Sequence, residues 1–177
     1  MIYDKEKWIY ENDQDNQIRY VLGTKGTKPL LSFGINPSTA KPDNLDNTLK
    51  SVERLARSND FDSWIMMNVY PQRATDPNNI HPEINNEIHR KNLAFIERII
   101  SGNKTIIWAA WGTLIEKRPF LIKCLTDICN LSIKYDCKWV SIGKESKLGH
   151  PHHPLYLNAN EKPIVFNIHQ YLEKIHP

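Results

Sequence analysis

The sequence predicts a single three-layer α/β/α domain built on a four-stranded, mainly parallel sheet. Short apolar runs that stop at polar residues alternate with stretches in which apolar residues recur at helical spacing. This alternation is typical of parallel sheets that helices cover on both faces. The length of 177 residues suits one domain. We therefore expect residues 1–177 to form a single α/β domain, with residues 1–28 as an N-terminal edge segment.

The composition excludes several classes of protein. Lys and Arg number 23 against 20 Asp and Glu, so the formal net charge is +3, and hydrophobic residues make up 40% of the chain. These values are ordinary for globular proteins and do not suit a disordered chain. No apolar run approaches the roughly 20 residues of a membrane span, and the three cysteines lack a CxxC spacing. The sequence thus predicts a cytoplasmic protein that makes no contact with membranes.

Four apolar runs predict the strands of the sheet. They cover residues 30–35, 64–67, 105–110 and 139–142, and a glycine or asparagine lies within two residues of each end. A further short strand is expected at residues 18–22, on the edge of the sheet. Right-handed crossovers between the parallel strands follow from strand twist.

Four stretches with helical spacing of apolar residues predict the helices. They lie near residues 45–56, 84–100, 121–128 and 164–175. Asp43, Asn44 or Asp46 is available to cap the first helix. Gly102 is expected just beyond the second helix, and Pro119 in the first turn of the third.

The ends of the predicted strands carry the candidate site. In open parallel sheets, ligands bind beyond the carboxyl ends of the strands. The segments that follow the four runs contain amide, hydroxyl, aromatic and imidazole side chains, namely those of Asn36, Ser38, Thr39, Asn68, Tyr70, Trp111, His150, His152 and His153. We expect Asn36, Asn68, Arg73 and His153 to line one cleft at this edge, because parallel strands bring their ends to one side.

The first of these segments places a glycine, an amide and two hydroxyls around a strand-to-loop turn. Gly34 permits close backbone approach, and Asn36 can both donate and accept hydrogen bonds. Successive backbone N–H groups near Ser38 and Thr39 can cradle an anion or a base carbonyl. The alternative is an Asx turn ahead of a helix, without any ligand.

The second segment adds an amide and a cation. Asn68 follows a buried strand, so its amide needs partners in a ligand or in the neighbouring loop. Arg73 is placed to grip a phosphate bidentately, or else to pair with Asp76. Tyr70 is a candidate aromatic contact for a ligand.

The third segment concentrates histidines in a stiff loop. His150, His152 and His153 are interrupted by Pro151 and Pro154. Histidine can donate to a developing negative charge, move a proton or bind a metal. No matching carboxylate or cysteine pair lies nearby, so we predict neither a metal nor another cofactor.

Trp111 stands at the end of the third predicted strand, where two interpretations remain open. Its ring can stack on a base, or it can pack in the core as most tryptophans do.

Taken in order, these motifs resemble a bacterial and phage family known as domain of unknown function 1643. The resemblance covers about residues 30–158. It is carried by N-P-S-T-A at residues 36–40, N-V-Y at 68–70, R-A-T-D-P at 73–77, W-G at 111–112 and G-H-P-H-H-P-L-Y at 149–156.

A more distant resemblance concerns the uracil-DNA glycosylase superfamily, and its mismatch-specific branch in particular. The sequence G-I-N-P at residues 34–37 is similar to the first motif of that branch. Asn68, the W-G pair and a His-Pro pair within residues 150–154 follow in the same order. The resemblance implies a uracil-DNA-glycosylase-like sheet covered by helices on both sides.

The same resemblance implies a chemistry for these residues. Asn36 would position water near the sugar C1′ atom, Asn68 would bind the base edge, and His150 or His153 would donate to a base carbonyl. Asn36 stands where the most active branch has an aspartate, and an asparagine cannot serve as a carboxylate base.

Three functions follow as expectations. The first is a nucleobase- or nucleotide-handling protein, with N-glycosidase action on nucleic-acid bases as its specific activity. The second is a non-catalytic module that binds a nucleotide or a modified base. The third is a metal-dependent hydrolase that uses His150 and His152. The expected partner is a nucleotide or a nucleic-acid base, and DNA is the candidate macromolecule.

Overall fold

A computed structural model describes residues 2–102 and 105–175. These residues form a sheet of seven strands and four α-helices. The strands are β1 Trp8–Asn12, β2 Arg19–Thr24, β3 Pro29–Gly34, β4 Ser63–Asn68, β5 Ile106–Ala109, β6 Lys138–Ile142 and β7 Pro163–Val165. The helices are α1 Asn47–Ser58, α2 Asn86–Ile100, α3 Pro119–Lys134 and α4 Ile168–Ile175.

The sheet contains a parallel centre with antiparallel strands on both sides. Its order is β1-β2-β4-β3-β5-β6-β7. The four predicted strands became β3 to β6, and they pair in parallel as β4-β3-β5-β6. Strands β1, β2 and β7 are antiparallel to their neighbours. The mixed α/β class is therefore confirmed, whereas the prediction of four strands is wrong because seven are present.

Strands β1, β2 and β7 are the three strands outside the predicted four-stranded sheet. The 1–28 segment supplies a β1–β2 hairpin, so β2 lies between β1 and β4 and is not the edge strand that we expected. The polar end of β1, at Glu11 and Asn12, resembles a loop in sequence. At the other edge, β7 occupies the start of the predicted last helix, which begins only at Ile168.

Side chains that alternate along the strands divide the core between two faces. Leu30, Trp64 and Trp108 pack with the apolar side of α1 on one face. Leu31 and Ile107 pack on the other face with residues of α2, α3 and α4. Full burial of each large apolar side chain contributes about 1.5–3 kcal/mol. Helices thus cover both faces of the sheet.

Capping residues fix where the helices begin. Asp46, one of the three predicted candidates, caps α1 by accepting a hydrogen bond from Leu49 N over 2.9 Å. Pro119 lies in the first turn of α3, as predicted. None of the helices in the described ranges combines the length and apolar character that crossing a lipid bilayer requires.

Candidate functional site

A cavity of about 320 Å³ lies beyond the carboxyl ends of β3 and β5. We call it the strand-end cavity. The cavity is lined by the end of β3, the first turn of α1, residues 74, 75 and 77, and single residues from other segments. The polar and aromatic residues of its wall are Arg19, Asn36, Ser38, Asp46, Asn47, Thr48, Thr75, Trp111 and His153.

A second cavity of about 290 Å³ adjoins the first along the histidine-rich loop. The two share Trp111, Leu114 and His153 in their walls. His150 and the largely exposed Tyr156 line only this histidine-loop cavity. The shared residues make His153 the imidazole that faces both spaces.

Asn36 presents an acceptor to the strand-end cavity. Its Nδ2 donates to Pro37 O over 3.1 Å and to Ala74 O over 2.8 Å. Within residues 2–102 and 105–175, no hydrogen-bond donor contacts its Oδ1. The amide is therefore held in place through its nitrogen, and its oxygen remains available to a ligand or a water molecule.

The loop after Asn36 is tied to the segment around residue 75. Ser38 Oγ donates to Thr75 Oγ1 over 3.2 Å, and both residues line the strand-end cavity. Thr39 is exposed and is not part of the cavity wall. Of the two predicted hydroxyls, the structure brings only that of Ser38 to the site.

Gly34 lines the cavity and packs closely against side chains of β4. A Cβ atom at Gly34 would lie 2.6 Å from Met66 Cε and 3.1 Å from Asn68 Nδ2. The absence of a side chain therefore makes room for Met66 and Asn68, which belong to the neighbouring parallel strand.

Asn68 lies beneath the cavity and does not line it. Its side chain is buried, and its Oδ1 accepts from Arg19 Nη2 over 3.3 Å. The backbone oxygen of Asn68 accepts from Asn92 Nδ2 over 2.9 Å. The expectation that Asn68 joins the cleft is wrong, because its side chain points under Gly34 toward Arg19.

Arg73 also lies outside both cavities. Its Nη1 donates to Ser38 O, and its Nη2 donates to Tyr10 Oη over 2.9 Å and to Ala40 O over 3.0 Å. The alternative pairing with Asp76 is absent, since that carboxylate caps a 3-10 turn. The guanidinium braces the loop after β3 from behind, so the expected place of Arg73 in the cleft is wrong.

Tyr70 is part of the core. Its side chain is fully buried and packs edge-on against Phe120. The hydroxyl makes a 2.9 Å hydrogen bond with His81 Nδ1 and accepts from Asn85 N over 3.1 Å. Burial raises the pKa of Tyr70. Tyr70 faces neither cavity, so the structure does not bring it to the site.

His150 is buried within a chain of hydrogen bonds. Trp111 Nε1 donates to Tyr171 Oη over 3.0 Å, and that hydroxyl lies 2.9 Å from His150 Nδ1. The Tyr171 hydroxyl therefore links Trp111 to His150. On the other side of the ring, Nε2 lies 3.3 Å from Glu116 Oε1. Both nitrogens of His150 therefore have protein partners.

His153 has a ring nitrogen, Nε2, that no hydrogen-bond partner contacts within the described residues. Its Nδ1 accepts weakly from Leu155 N over 3.4 Å, so the neutral ring carries its proton on Nε2. Burial lowers the pKa of His153, and the negative charge of Asp46 partly opposes this shift. A left-handed Gly112, with φ of +63°, allows the close approach of His153. The site thus holds a neutral imidazole that can donate.

Trp111 supports the site from the core. It is fully buried and packs against Trp139, Phe166 and Tyr171. It also contributes to the walls of both cavities. The structure therefore agrees with the interpretation that Trp111 packs in the core.

Two charged residues of the strand-end cavity were not predicted as site residues from the sequence. Arg19 is 2% exposed at the start of β2, and burial together with the charge of Arg73 lowers its pKa to about 9. The sequence feature that could have identified Arg19 is its position as a charged residue directly before the apolar run of β2. Asp46 was considered only as a cap, yet it is the carboxylate of the cavity wall.

The described residues hold no cluster of three or more His, Cys, Asp or Glu side chains arranged to bind a metal ion. His150, one of the two histidines proposed as metal ligands, is occupied by Tyr171 and Glu116. No observation in the described ranges favours the metal-dependent alternative.

Comparison with known proteins identifies the family. No curated protein and no solved structure matches the chain significantly, so the resemblance to uracil-DNA glycosylases gains no support from them. A family model described as "Protein of unknown function (DUF1643)" matches residues 19–155. This range begins at Arg19 and includes Asn36, Asp46 and His153, and it covers well over half of the chain. The chain therefore belongs to the DUF1643 family.

Proposed function

We propose that the strand-end cavity binds a nucleobase or nucleotide and that the protein hydrolyses the N-glycosidic bond of its ligand. One observation carries this proposal. Among the described residues, Asn36 has an acceptor and His153 a donor without a hydrogen-bond partner, and both residues line the same cavity. Uracil, thymine and guanine present both carbonyl acceptors and a ring N–H donor, so this pair of groups suits the edge of such a base.

The volume and walls of the cavity suit a small planar ligand. Its 320 Å³ lies at the lower end of the range for small-molecule sites. Ile35, Trp111 and Leu114 supply apolar surface beside the polar groups. The order of motifs that resembles the uracil-DNA glycosylase superfamily also supports a base as the ligand.

In the proposed reaction, a water molecule attacks C1′ of the sugar. Asn36 Oδ1 orients the water, and the Asp46 oxygen that does not cap Leu49 takes its proton. The hydroxide equivalent bonds to C1′ as the C1′–N bond breaks, and the bonding electrons leave with the base. His153 Nε2–H donates to the base carbonyl on which negative charge develops.

Release of free base tests this proposal. Uracil-containing single-stranded DNA, a mismatched duplex, uridine and uridine 5′-monophosphate would be incubated with the protein, and free base would be measured chromatographically. We expect release from at least one substrate, with a loss of about 100-fold or more in Asp46→Asn. This variant keeps a good helix cap, because asparagine caps as well as aspartate.

The control is Thr39→Ala, which alters an exposed hydroxyl outside the cavity wall. It should retain the wild-type rate. Failure to release base from any substrate, or equal rates in the wild type, Asn36→Ala and Asp46→Asn, would contradict the enzymatic proposal.

A non-catalytic binding module is the second candidate. The capping role of Asp46 favours it, since one carboxylate oxygen is already occupied by Leu49 N. Calorimetry with the same bases and nucleotides separates the two functions. Binding that Asn36→Ala weakens, without any base release, would support the module.

A further inference from the structure

We infer that the strand-end cavity binds the phosphate group of a small phosphorylated ligand against Arg19 and the first turn of α1. The inference deepens the proposed function, on which it rests, because it specifies a mononucleotide instead of a free base or a nucleic-acid polymer. Its evidence lies in the charges and hydrogen bonds at one end of the cavity.

Arg19 is a buried cation that forms no salt bridge within the described residues, although the negative charge of Asp46 partly opposes the lowering of its pKa. It is 2% exposed and lines the cavity. Its Nη1 donates to Ala40 O over 3.2 Å and its Nη2 to Asn68 Oδ1 over 3.3 Å, both of which are uncharged. Its Nε has no partner in the described residues, where Arg19 also forms no ion pair. A buried charge is costly unless an opposite charge compensates it.

A second guanidinium increases the excess of positive charge. Arg73 Nη2 donates to the same Ala40 oxygen over 3.0 Å, and the Nε of Arg73 is likewise buried without a partner. The two cations repel each other, which contributes to the lowered pKa of Arg19. An anion in the cavity would relieve this repulsion.

The first turn of α1 adds backbone donors at the same place. Asn47 and Thr48 line the cavity, and among the described residues their N–H groups have no hydrogen-bond acceptor. Helix N-termini attract phosphate through such groups and through the helix dipole. Asp46 occupies Leu49 N and carries one negative charge, which the two arginines outweigh.

The depth of Arg19 favours a small ligand over a polymer. Nucleic-acid backbones are bound chiefly by exposed Lys and Arg side chains. Arg19 is almost completely buried at a cavity of about 320 Å³, and the net charge of the chain is only +3. A terminal phosphate on a mononucleotide can enter such a cavity, whereas a phosphate inside a strand carries the chain on both sides.

Calorimetry with matched pairs of ligands tests the inference. Inorganic phosphate, uridine, uridine 5′-monophosphate, adenosine and adenosine 5′-monophosphate would be titrated at constant ionic strength. In the wild type, we expect inorganic phosphate to bind and at least one monophosphate to bind about tenfold more tightly than its nucleoside. Arg19→Met should reduce this advantage to about twofold or less.

Asn47→Pro provides a variant that does not depend on the arginine. Proline at the first helical position removes one N–H group and suits the extended conformation of Asp46 before it. We expect it to fold normally and to weaken phosphate binding severalfold. The control is Arg98→Met, which removes the same charge from an exposed ion pair with Glu11 and should leave binding unchanged.

The outcomes distinguish this inference from the proposed function. If nucleosides bind as tightly as their monophosphates, or Asn47→Pro and Arg98→Met affect phosphate binding equally, the phosphate subsite is refuted and the base site stands. If inorganic phosphate binds through Arg19 but no base, nucleoside or nucleotide binds more tightly, the proposed function is refuted and the subsite stands. Preference for a single-stranded oligonucleotide over every mononucleotide would refute the small-ligand inference.

Discussion

Arg19 and Arg73 donate hydrogen bonds to one carbonyl oxygen, that of Ala40, over 3.2 Å and 3.0 Å. The two side chains come from β2 and from the loop after β4. Together they hold the loop that carries Asn36 and Ser38 at the end of β3. The shape of the strand-end cavity therefore depends on Arg19, which lines it, and on Arg73, which does not.

We expect Arg73→Met to destabilise the protein by about 1.5–3 kcal/mol, because charged hydrogen bonds to Ser38, Tyr10 and Ala40 would be lost. The free energy of unfolding in urea measures the effect. Arg98→Met, at an exposed ion pair, should change it by less than about 0.5 kcal/mol. Equal stability of the two variants would show that Arg73 does not brace the loop.

Tyr171→Phe tests whether His150 has a structural role. The substitution removes the hydroxyl that accepts from Trp111 and is hydrogen-bonded to His150, which leaves two buried groups unpaired. We expect a loss of about 1–3 kcal/mol in the free energy of unfolding. Tyr156→Phe is the control, because Tyr156 is 79% exposed. If Tyr171→Phe instead lost ligand binding while its stability stayed unchanged, Tyr171 and His150 would have a direct role in ligand binding.

The lowered pKa of His153 makes stability depend on pH. Its pKa lies below the ordinary value of 6.5 because burial disfavours the charged ring. The unfolded chain therefore binds a proton first as the pH falls. Stability is complete above pH 6.5 and decreases as the pH falls through the folded-state pKa.

His153→Gln isolates this contribution. Unfolding of both proteins would be followed between pH 8 and pH 5. We expect the wild type to lose more stability than the variant below about pH 6.5. Parallel curves for the two proteins would contradict a buried neutral His153.

Gly23→Ala tests the packing between β2 and β4. A Cβ atom at Gly23 would lie 2.5 Å from Trp64 O and 2.9 Å from Ile65 Cα, and neither backbone atom can move without disturbing the sheet. We expect a loss of about 1–3 kcal/mol in thermal or chemical unfolding. At Gly102, a Cβ atom would meet nothing within 4 Å among the described residues, so Gly102→Ala should be nearly neutral. Similar effects at both glycines would contradict the β2–β4 register.

The sequence predicted the parts of the fold that depend on local periodicity. Runs of buried apolar residues located β3 to β6, and helical spacing located α1, α2 and α3. Strand β1 was missed because its polar end resembles a loop, and β7 because it depends on pairing with β6, more than 20 residues earlier. In β7, Pro163 to Val165 pair with β6, although Ile164 and Val165 alone suit the start of a helical stripe.

The candidate site was predictable only in part. Asn36 and His153 line one cavity because parallel strands bring their ends to one side of the sheet, which the sequence indicates. The positions of Asn68 and Arg73 depend on the path of the loop after β3, whose carbonyl groups attract Arg19 and Arg73. Such carbonyl positions are tertiary features and leave no local sequence pattern.

We expect the ligand of this protein to bind in the strand-end cavity. Two-dimensional NMR of the labelled protein, titrated with uracil, uridine and uridine 5′-monophosphate, tests this expectation most directly. We predict saturable shifts in the backbone amide signals of Gly34, Asn36, Thr48 and His153, which line this cavity. Shifts confined to another surface, such as the exposed edge around Val165, or no shifts at all, would contradict the account.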